Sequence, residues 1–167
     1  MSTYLLTWNP NRWDWTDQAL TAQRVREEGS AVVRWSCGNT RRIEAGDRIF
    51  LLRQGAEPRG IVASGTVIEP PYEDAHWDES ASKPALYVDV RLDALLDPDS
   101  DGVLRRELLD EPPFSGMHWN AQSSGTTIPA HVAAALTEAW GELLAGMPAE
   151  PVTAPSPPSS TKGPPTP

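Results

Sequence analysis

The sequence predicts an α+β protein in which several strands form a small barrel or curled sheet with helices packed outside. Two observations support this class. Strand-like segments recur through residues 4–92, with one helical segment after the first of them, and a later amphipathic helix ends near residue 145. Residues 1–147 have the length of one ordinary domain.

Five strands are predicted from short runs rich in β-branched, aromatic and leucine residues that turn-forming residues bound. They cover residues 4–8, 31–35, 48–53, 60–68 and 86–92. The turn Asn9-Pro10-Asn11 closes the first, and the last alternates polar and apolar residues with period two, as when one face is buried. The polar connection 69–83 is long, and long ordered loops in compact domains are usually functional.

Two helices are predicted. The first runs from Thr16, a suitable N-cap, to residue 28, where Gly29 stops it. The second runs from Pro129, which suits a first helical position, to residue 145. Its apolar residues recur every four positions from Val132, so Trp140 on this stripe is assigned to the core.

The chain is predicted to end in a disordered linker rich in proline and serine, residues 148–167, because this segment has almost no large apolar side chain. The single cysteine, Cys37, excludes a disulfide framework and a cysteine-rich zinc site. With no secretory signal and no run long enough to span a membrane, the expected location is cytoplasmic, and no membrane partner is expected.

Charge is distributed unevenly along the chain. The formal net charge of -9 argues against binding to nucleic acid, which usually depends on neutralising phosphates. However, residues 1–63 hold nine arginines against seven carboxylates, whereas residues 64–118 hold four basic against thirteen acidic residues. One half is able to face phosphates while the other repels them, although the acidity is equally compatible with a role in solubility alone.

The seven tryptophans are the most informative residues. An indole N–H needs a partner when it is buried, so tryptophan is a costly residue to use only for filling a core. Six lie in or beside predicted loops and strand ends, where binding residues concentrate: Trp8, Trp13, Trp15, Trp35, Trp77 and Trp119. Segment 34–42 joins Trp35 to three arginines and is typical of a stacking platform beside a phosphate clamp. The alternative is that Trp35 fills the core and the arginines are ordinary surface charge.

Two further polar segments offer hydrogen-bonding groups. Segment 70–78 combines two aromatic rings with carboxylates that suit an exocyclic amino group, and a metal is not expected there. Segment 118–128 carries amide and hydroxyl side chains that suit a base edge or, alternatively, cap the second helix. The sequence gives little support for catalysis. Arginines near Cys37 favour its thiolate, but no sequence feature places a histidine beside it. We predict no cofactor and no enzyme activity.

Five segments, in this order, resemble the EVE domain of the PUA-like superfamily: Tyr4–Pro10, Trp35–Gly38, Gly46–Arg53, Gly60–Gly65 and Pro71–Asp74. The likeness extends over residues 3–145. More narrowly, the chain resembles the N-terminal reader of bacterial EVE–HNH modification-dependent restriction endonucleases. This resemblance implies a mixed β-barrel of about five to six strands with helices outside, formed by residues 1–147. It also implies a pocket for a flipped-out cytosine that bears a 5-methyl or 5-hydroxymethyl group.

The resemblance and the motifs together predict two sets of binding residues. Those expected to contact the base are Trp8, Trp35, Ser36, Tyr72, Asp74, Trp77, Trp119, Gln122 and Ser123. Those expected to contact the nucleic-acid backbone are Arg12, Arg34, Asn39, Arg41, Arg42 and Arg59. The expected partners are double-stranded DNA with modified cytosine and a C-terminal HNH nuclease domain, absent from this chain, that cleaves DNA. An RNA-binding module and a nucleoside-binding module are the alternatives.

Overall fold

The computed structural model describes residues 1–120 and 124–147, which form a mixed α+β fold. Its sheet has seven strands: β1 (Thr3–Trp8), β2 (Ala31–Ser36), β3 (Arg48–Arg53), β4 (Gly60–Asp74), β5 (Ala85–Leu95), β6 (Leu104–Arg105) and β7 (Thr126–Thr127). The helices are α1 (Gln18–Glu28), α2 (Ala130–Ala145) and two short 3₁₀ helices (Arg106–Asp110 and Phe114–Gly116). The predicted linker 148–167 lies outside the described residues.

All five predicted strands and both predicted helices are confirmed, with one correction to the long connection. Residues 69–74 continue β4 instead of forming a loop. Pro70 and Pro71 lack the N–H that a ladder needs, but they fall between the paired residues Glu69 and Tyr72, where the register shifts. The strand therefore continues through a β-bulge at the two prolines, although prolines normally end a strand.

The sheet curls until its two ends meet. Its strand order is β2-β5-β4-β3-β1-β7, with β6 on β4, and β1 and β3 are its parallel pair. At the meeting point the Trp35 Nε1–H donates to the Thr7 carbonyl at 3.0 Å, and the Thr40 hydroxyl donates to the Gly125 carbonyl at 2.8 Å. These bonds join the β2 end to the β1–β7 end. The predicted barrel-like mixed sheet is thus confirmed, and its closure is a seam between β2 and β1.

Alternation along the strands divides the core in two. On β1, Leu6 and Trp8 face the core inside the curl, which α1 covers, whereas Leu5 faces the second core under α2. Trp140 of α2 is 3% exposed and donates its indole N–H to the Ser64 hydroxyl at 2.9 Å, which confirms its place in the core. Among the described residues, no helix is long and apolar enough to cross a membrane.

Gly125 keeps the seam closed. Its φ of +94° is strained for any residue with a side chain, and an added Cβ there lies 2.3 Å from the Cys37 carbonyl oxygen. Because that contact is with the main chain, no side-chain rotation can relieve the clash. Glycine is therefore the residue that lets the segment before β7 approach the segment after β2.

Candidate functional site

A cleft of about 870 Å³ opens at the seam between β2 and β1. Thr7 and Trp8 contribute from β1, Trp35 and Ser36 from β2, and Trp77 from the β4–β5 connection. Clefts that bind small molecules measure roughly 300–1,000 Å³. The cleft is therefore large enough for a nucleobase together with part of its sugar.

Four indoles form one wall of the cleft, and we call them the tryptophan cluster: Trp8, Trp13, Trp15 and Trp35. Their rings are in mutual contact. The centroid of Trp13 lies 5.1 Å from that of Trp35 and 6.0 Å from that of Trp15, and the Trp15 and Trp35 centroids are 4.9 Å apart. Such distances are typical of favourable aromatic pairs.

Hydrogen bonds fix the cluster in place. The Trp35 N–H is bonded to the Thr7 carbonyl, and the Trp8 N–H donates to the Trp13 carbonyl at 3.2 Å. Trp35 is 7% exposed, whereas Trp13 is 36% exposed. The cluster thus combines fixed, buried indoles with one indole that solvent, or a ligand, can reach.

The polar lining carries both signs of charge. Among the described residues that line the cleft, three are arginines and two are carboxylates: Arg12, Arg34, Arg59, Asp14 and Asp17. The Arg34 guanidinium lies over the Tyr87 ring, 4.1 Å from its centroid. Such stacking holds a cation in position at an aromatic surface. The lining therefore offers stacking surfaces, cations and hydrogen-bond acceptors in one place.

The structure brings part of the predicted site together. Seven of the expected residues line the cleft: Trp8, Trp35, Ser36, Trp77, Arg12, Arg34 and Arg59. Arg59 also forms an ion pair with Glu57 at 3.0 Å. Trp77 is 37% exposed, so it faces the cleft from the solvent side. Trp35 is a core residue that also lines the cleft.

Three predicted base contacts lie elsewhere among the described residues. Trp119 is 2% exposed in the core under α2, where its N–H donates to the Phe114 carbonyl at 2.8 Å, so it is placed as a core residue. Tyr72 donates its hydroxyl to Asp89, and burial together with this bond raises the pKa of the phenol. The Asp74 carboxylate pairs with Arg34 at 2.8 Å. Gln122 and Ser123 lie outside the described residues.

Three predicted backbone contacts lie beside the cleft lining. Asn39, Arg41 and Arg42 are exposed in the segment after β2. The guanidinium of Arg41 pairs with the Glu73 carboxylate at 2.9 Å. An exposed pair of this kind contributes little to stability, so a phosphate is able to displace the carboxylate.

Trp13, Trp15 and Asp17 line the cleft although none was assigned a contact, and the two tryptophans were only among the six loop tryptophans. The signal that identifies them is their position directly after β1, a strand whose end forms the seam. Asn9, Tyr87 and Asn120 were also missed. Asn9 directly follows β1, whereas Tyr87 and Asn120 line the cleft because the curled sheet brings segments distant in sequence together.

Cys37 is fully buried, and burial raises the pKa of its thiol to about 11 despite the nearby Arg41 charge. The expectation that arginines favour the thiolate is therefore wrong, because desolvation of the anion dominates.

We expect Cys37 to react slowly with a thiol reagent at pH 8 in the native protein and fast in denaturant. Because the folded pKa lies above the unfolded value, the thiol contribution to stability is expected to decline between about pH 9 and 11. Equal reaction rates in both states contradict this assignment.

Solved structures with a similar fold extend over most of the chain. A hypothetical protein from Leishmania major is 18% identical with a TM-score of 0.61, and it covers 86% of this chain and 97% of its own. A Pseudomonas syringae protein is 17% identical with a TM-score of 0.57, over 82% and 98%. Human THYN1 in complex with DNA containing 5-methylcytosine is 14% identical with a TM-score of 0.59, over 83% and 96%. These likenesses show the fold alone.

Among curated proteins, none matches the chain significantly. The family model of the EVE domain matches residues 2–139, which include every strand of the curled sheet and most of α2. The match includes every described residue that lines the cleft. This chain belongs to the EVE domain family.

Proposed function

We propose that this chain is a reader of modified DNA. It binds a duplex that contains 5-methyl- or 5-hydroxymethylcytosine and takes that base out of the stack into the cleft. The observation that carries the proposal is the tryptophan cluster, in which the accessible Trp13 ring contacts the buried ring of Trp35, whose N–H is hydrogen-bonded. The similar fold of human THYN1, which was solved with 5-methylcytosine DNA, supports it. The chain acts as a binding module and carries out no reaction itself.

The free energies involved are compatible with base extrusion. Taking a base out of the helix costs a few kcal/mol, and stacking it on aromatic rings returns ~1–3 kcal/mol. Contacts between phosphates and the arginines of the cleft supply the remaining affinity. Burial of one methyl group adds about 0.8 kcal/mol, which is roughly a fourfold preference over unmodified cytosine. A hydrogen bond to a hydroxymethyl group adds about 0.5–1.5 kcal/mol.

Titration of three otherwise identical duplexes tests the proposal. They carry one cytosine, 5-methylcytosine or 5-hydroxymethylcytosine, and a single-stranded RNA of the same sequence is the fourth ligand. We expect both modified duplexes to bind more tightly than the plain one. Equal affinity for the three duplexes contradicts the proposal, and preferential binding of the RNA favours an RNA-binding module.

Replacing Arg12 and Arg59 together by alanine is expected to weaken all three duplexes in equal proportion. Because the two guanidiniums are proposed to neutralise phosphates, the slope of log K against log salt should fall by about 2. The control is Arg26→Ala, which removes an exposed α1 arginine that pairs with Asp101. Loss of selectivity for the modified base, with an unchanged salt slope, contradicts the assignment to phosphates.

The finer proposal is that this domain is the specificity module of a modification-dependent restriction endonuclease, with a C-terminal HNH nuclease domain as its covalent partner. It rests on the ordered motifs that resemble such readers. The intact mass of the protein isolated from its native source tests it. A mass well above the 18.2 kDa of this chain is expected, and a mass equal to it contradicts this finer proposal alone.

A further inference from the structure

Asp17 lines the cleft, and its carboxylate has no partner among the residues that the structure describes. Asp17 is the N-cap residue of α1, a position where aspartate normally accepts a bond from the first turn, yet its side chain makes no capping bond. Among the described residues, only its main-chain carbonyl accepts hydrogen bonds. The residue is half-buried. A half-buried acceptor without a donor is suited to a ligand that supplies one.

The main chain at Asp17 is held rigidly. Its carbonyl accepts from both the N–H and the hydroxyl of Thr21, each at 2.8 Å. The next residue, Gln18, is buried and donates its side-chain amide to the Leu96 carbonyl at 2.6 Å. The start of α1 is therefore anchored beside the end of β5, and this holds the main chain of Asp17 at the cleft.

A reader of 5-methylcytosine has to reject thymine, which is abundant in DNA. The two bases share the ring and the 5-methyl group, so the tryptophan cluster cannot tell them apart by stacking or by methyl burial. They differ at position 4, where cytosine has an amino group that donates and thymine has an oxygen that accepts. A carboxylate accepts from the first and repels the second.

We infer that Asp17 selects cytosine over thymine by accepting a hydrogen bond from the N4 amino group of the extruded base. This inference rests on the proposed function and replaces Asp74 as the carboxylate that reads the base. Asp74 is not among the residues that line the cleft, and its carboxylate pairs with Arg34. Asp14 also lines the cleft, but it is exposed and lacks the two bonds that fix the Asp17 carbonyl. Asp17 determines base identity, and the indoles sense the 5-substituent.

Duplexes in which 5-methylcytosine or thymine stands opposite an abasic site test the inference, because neither base then has a pairing partner to lose. The wild-type protein should prefer 5-methylcytosine by at least tenfold. The variant Asp17→Asn should bring the ratio close to one, since its amide donates to the thymine oxygen. The matched control is Asp99→Asn, which removes the same charge from an exposed loop outside the cleft lining and should leave the ratio unchanged.

The outcomes separate the inference from the proposed function. Equal binding of plain and modified cytosine by the wild type overturns the proposed function. If the wild type prefers modified cytosine but Asp17→Asn still rejects thymine, only the inference is overturned. The inference is likewise overturned if Asp14→Asn, and not Asp17→Asn, loses the preference for 5-methylcytosine over thymine. Asparagine is as good an N-cap as aspartate, so an unchanged melting temperature is expected and shows that the variant is folded.

Discussion

Replacing Trp35 by alanine is expected to lower the free energy of unfolding by about 3–5 kcal/mol, the range for buried aromatic residues. The side chain is 7% exposed and contacts the rings of Trp13 and Trp15. Its N–H also makes one of the bonds that close the seam, to Thr7. The substitution therefore removes core packing and a link between β2 and β1 at once.

Denaturant unfolding measures this loss, and Trp77→Ala is the control. Trp77 also lines the cleft but is 37% exposed, so its replacement should change the free energy of unfolding little. Wild-type stability of Trp35→Ala would mean that the indole serves only the ligand and that the seam closes without it.

Replacing Trp13 by alanine is expected to weaken binding of a modified duplex by about five- to 150-fold, which corresponds to the ~1–3 kcal/mol of one base–aromatic stack. The fold should survive, because Trp13 is 36% exposed. Its main-chain carbonyl, which accepts the Trp8 N–H, is retained in the variant. Trp13 thus separates ligand stacking from core packing, which Trp35 cannot do.

Affinity for the modified duplex and the melting temperature should be measured together for Trp13→Ala. The matched control is Leu20→Ala, which shortens an exposed apolar side chain on α1 outside the cleft lining. A Trp13→Ala protein that is fully folded and binds as tightly as the wild type contradicts a stacking role for the tryptophan cluster.

The sequence predicts the main strands and helices well because their patterns are local. The bounds of β3 match the prediction, and α1 begins only two residues later than expected. By contrast, β6 and β7 were missed. Each has two residues, and each is a strand only because it pairs with a partner distant in sequence, Gly60–Ile61 for β6 and Tyr4–Leu5 for β7.

The site was predicted in part, because composition identifies candidate indoles but not their neighbours. Trp35 lines the cleft near the end of β2, before a polar turn that is visible in the sequence. Trp119 also precedes a polar segment, yet it packs under α2 beside 3₁₀ helices that the sequence pattern does not predict. The pairing of Asp74 with Arg34 likewise depends on β4 continuing past its two prolines.

Extrusion of the modified base into the cleft can be observed with 2-aminopurine placed next to that base in the duplex. This fluorophore is quenched by stacking, so its emission should rise when the protein takes the neighbouring base out of the helix. We expect a rise on saturation with the wild-type protein and none with Trp13→Ala. Saturation of the modified duplex by the wild type without any rise would show that the base stays stacked and that the tryptophan cluster does not receive it.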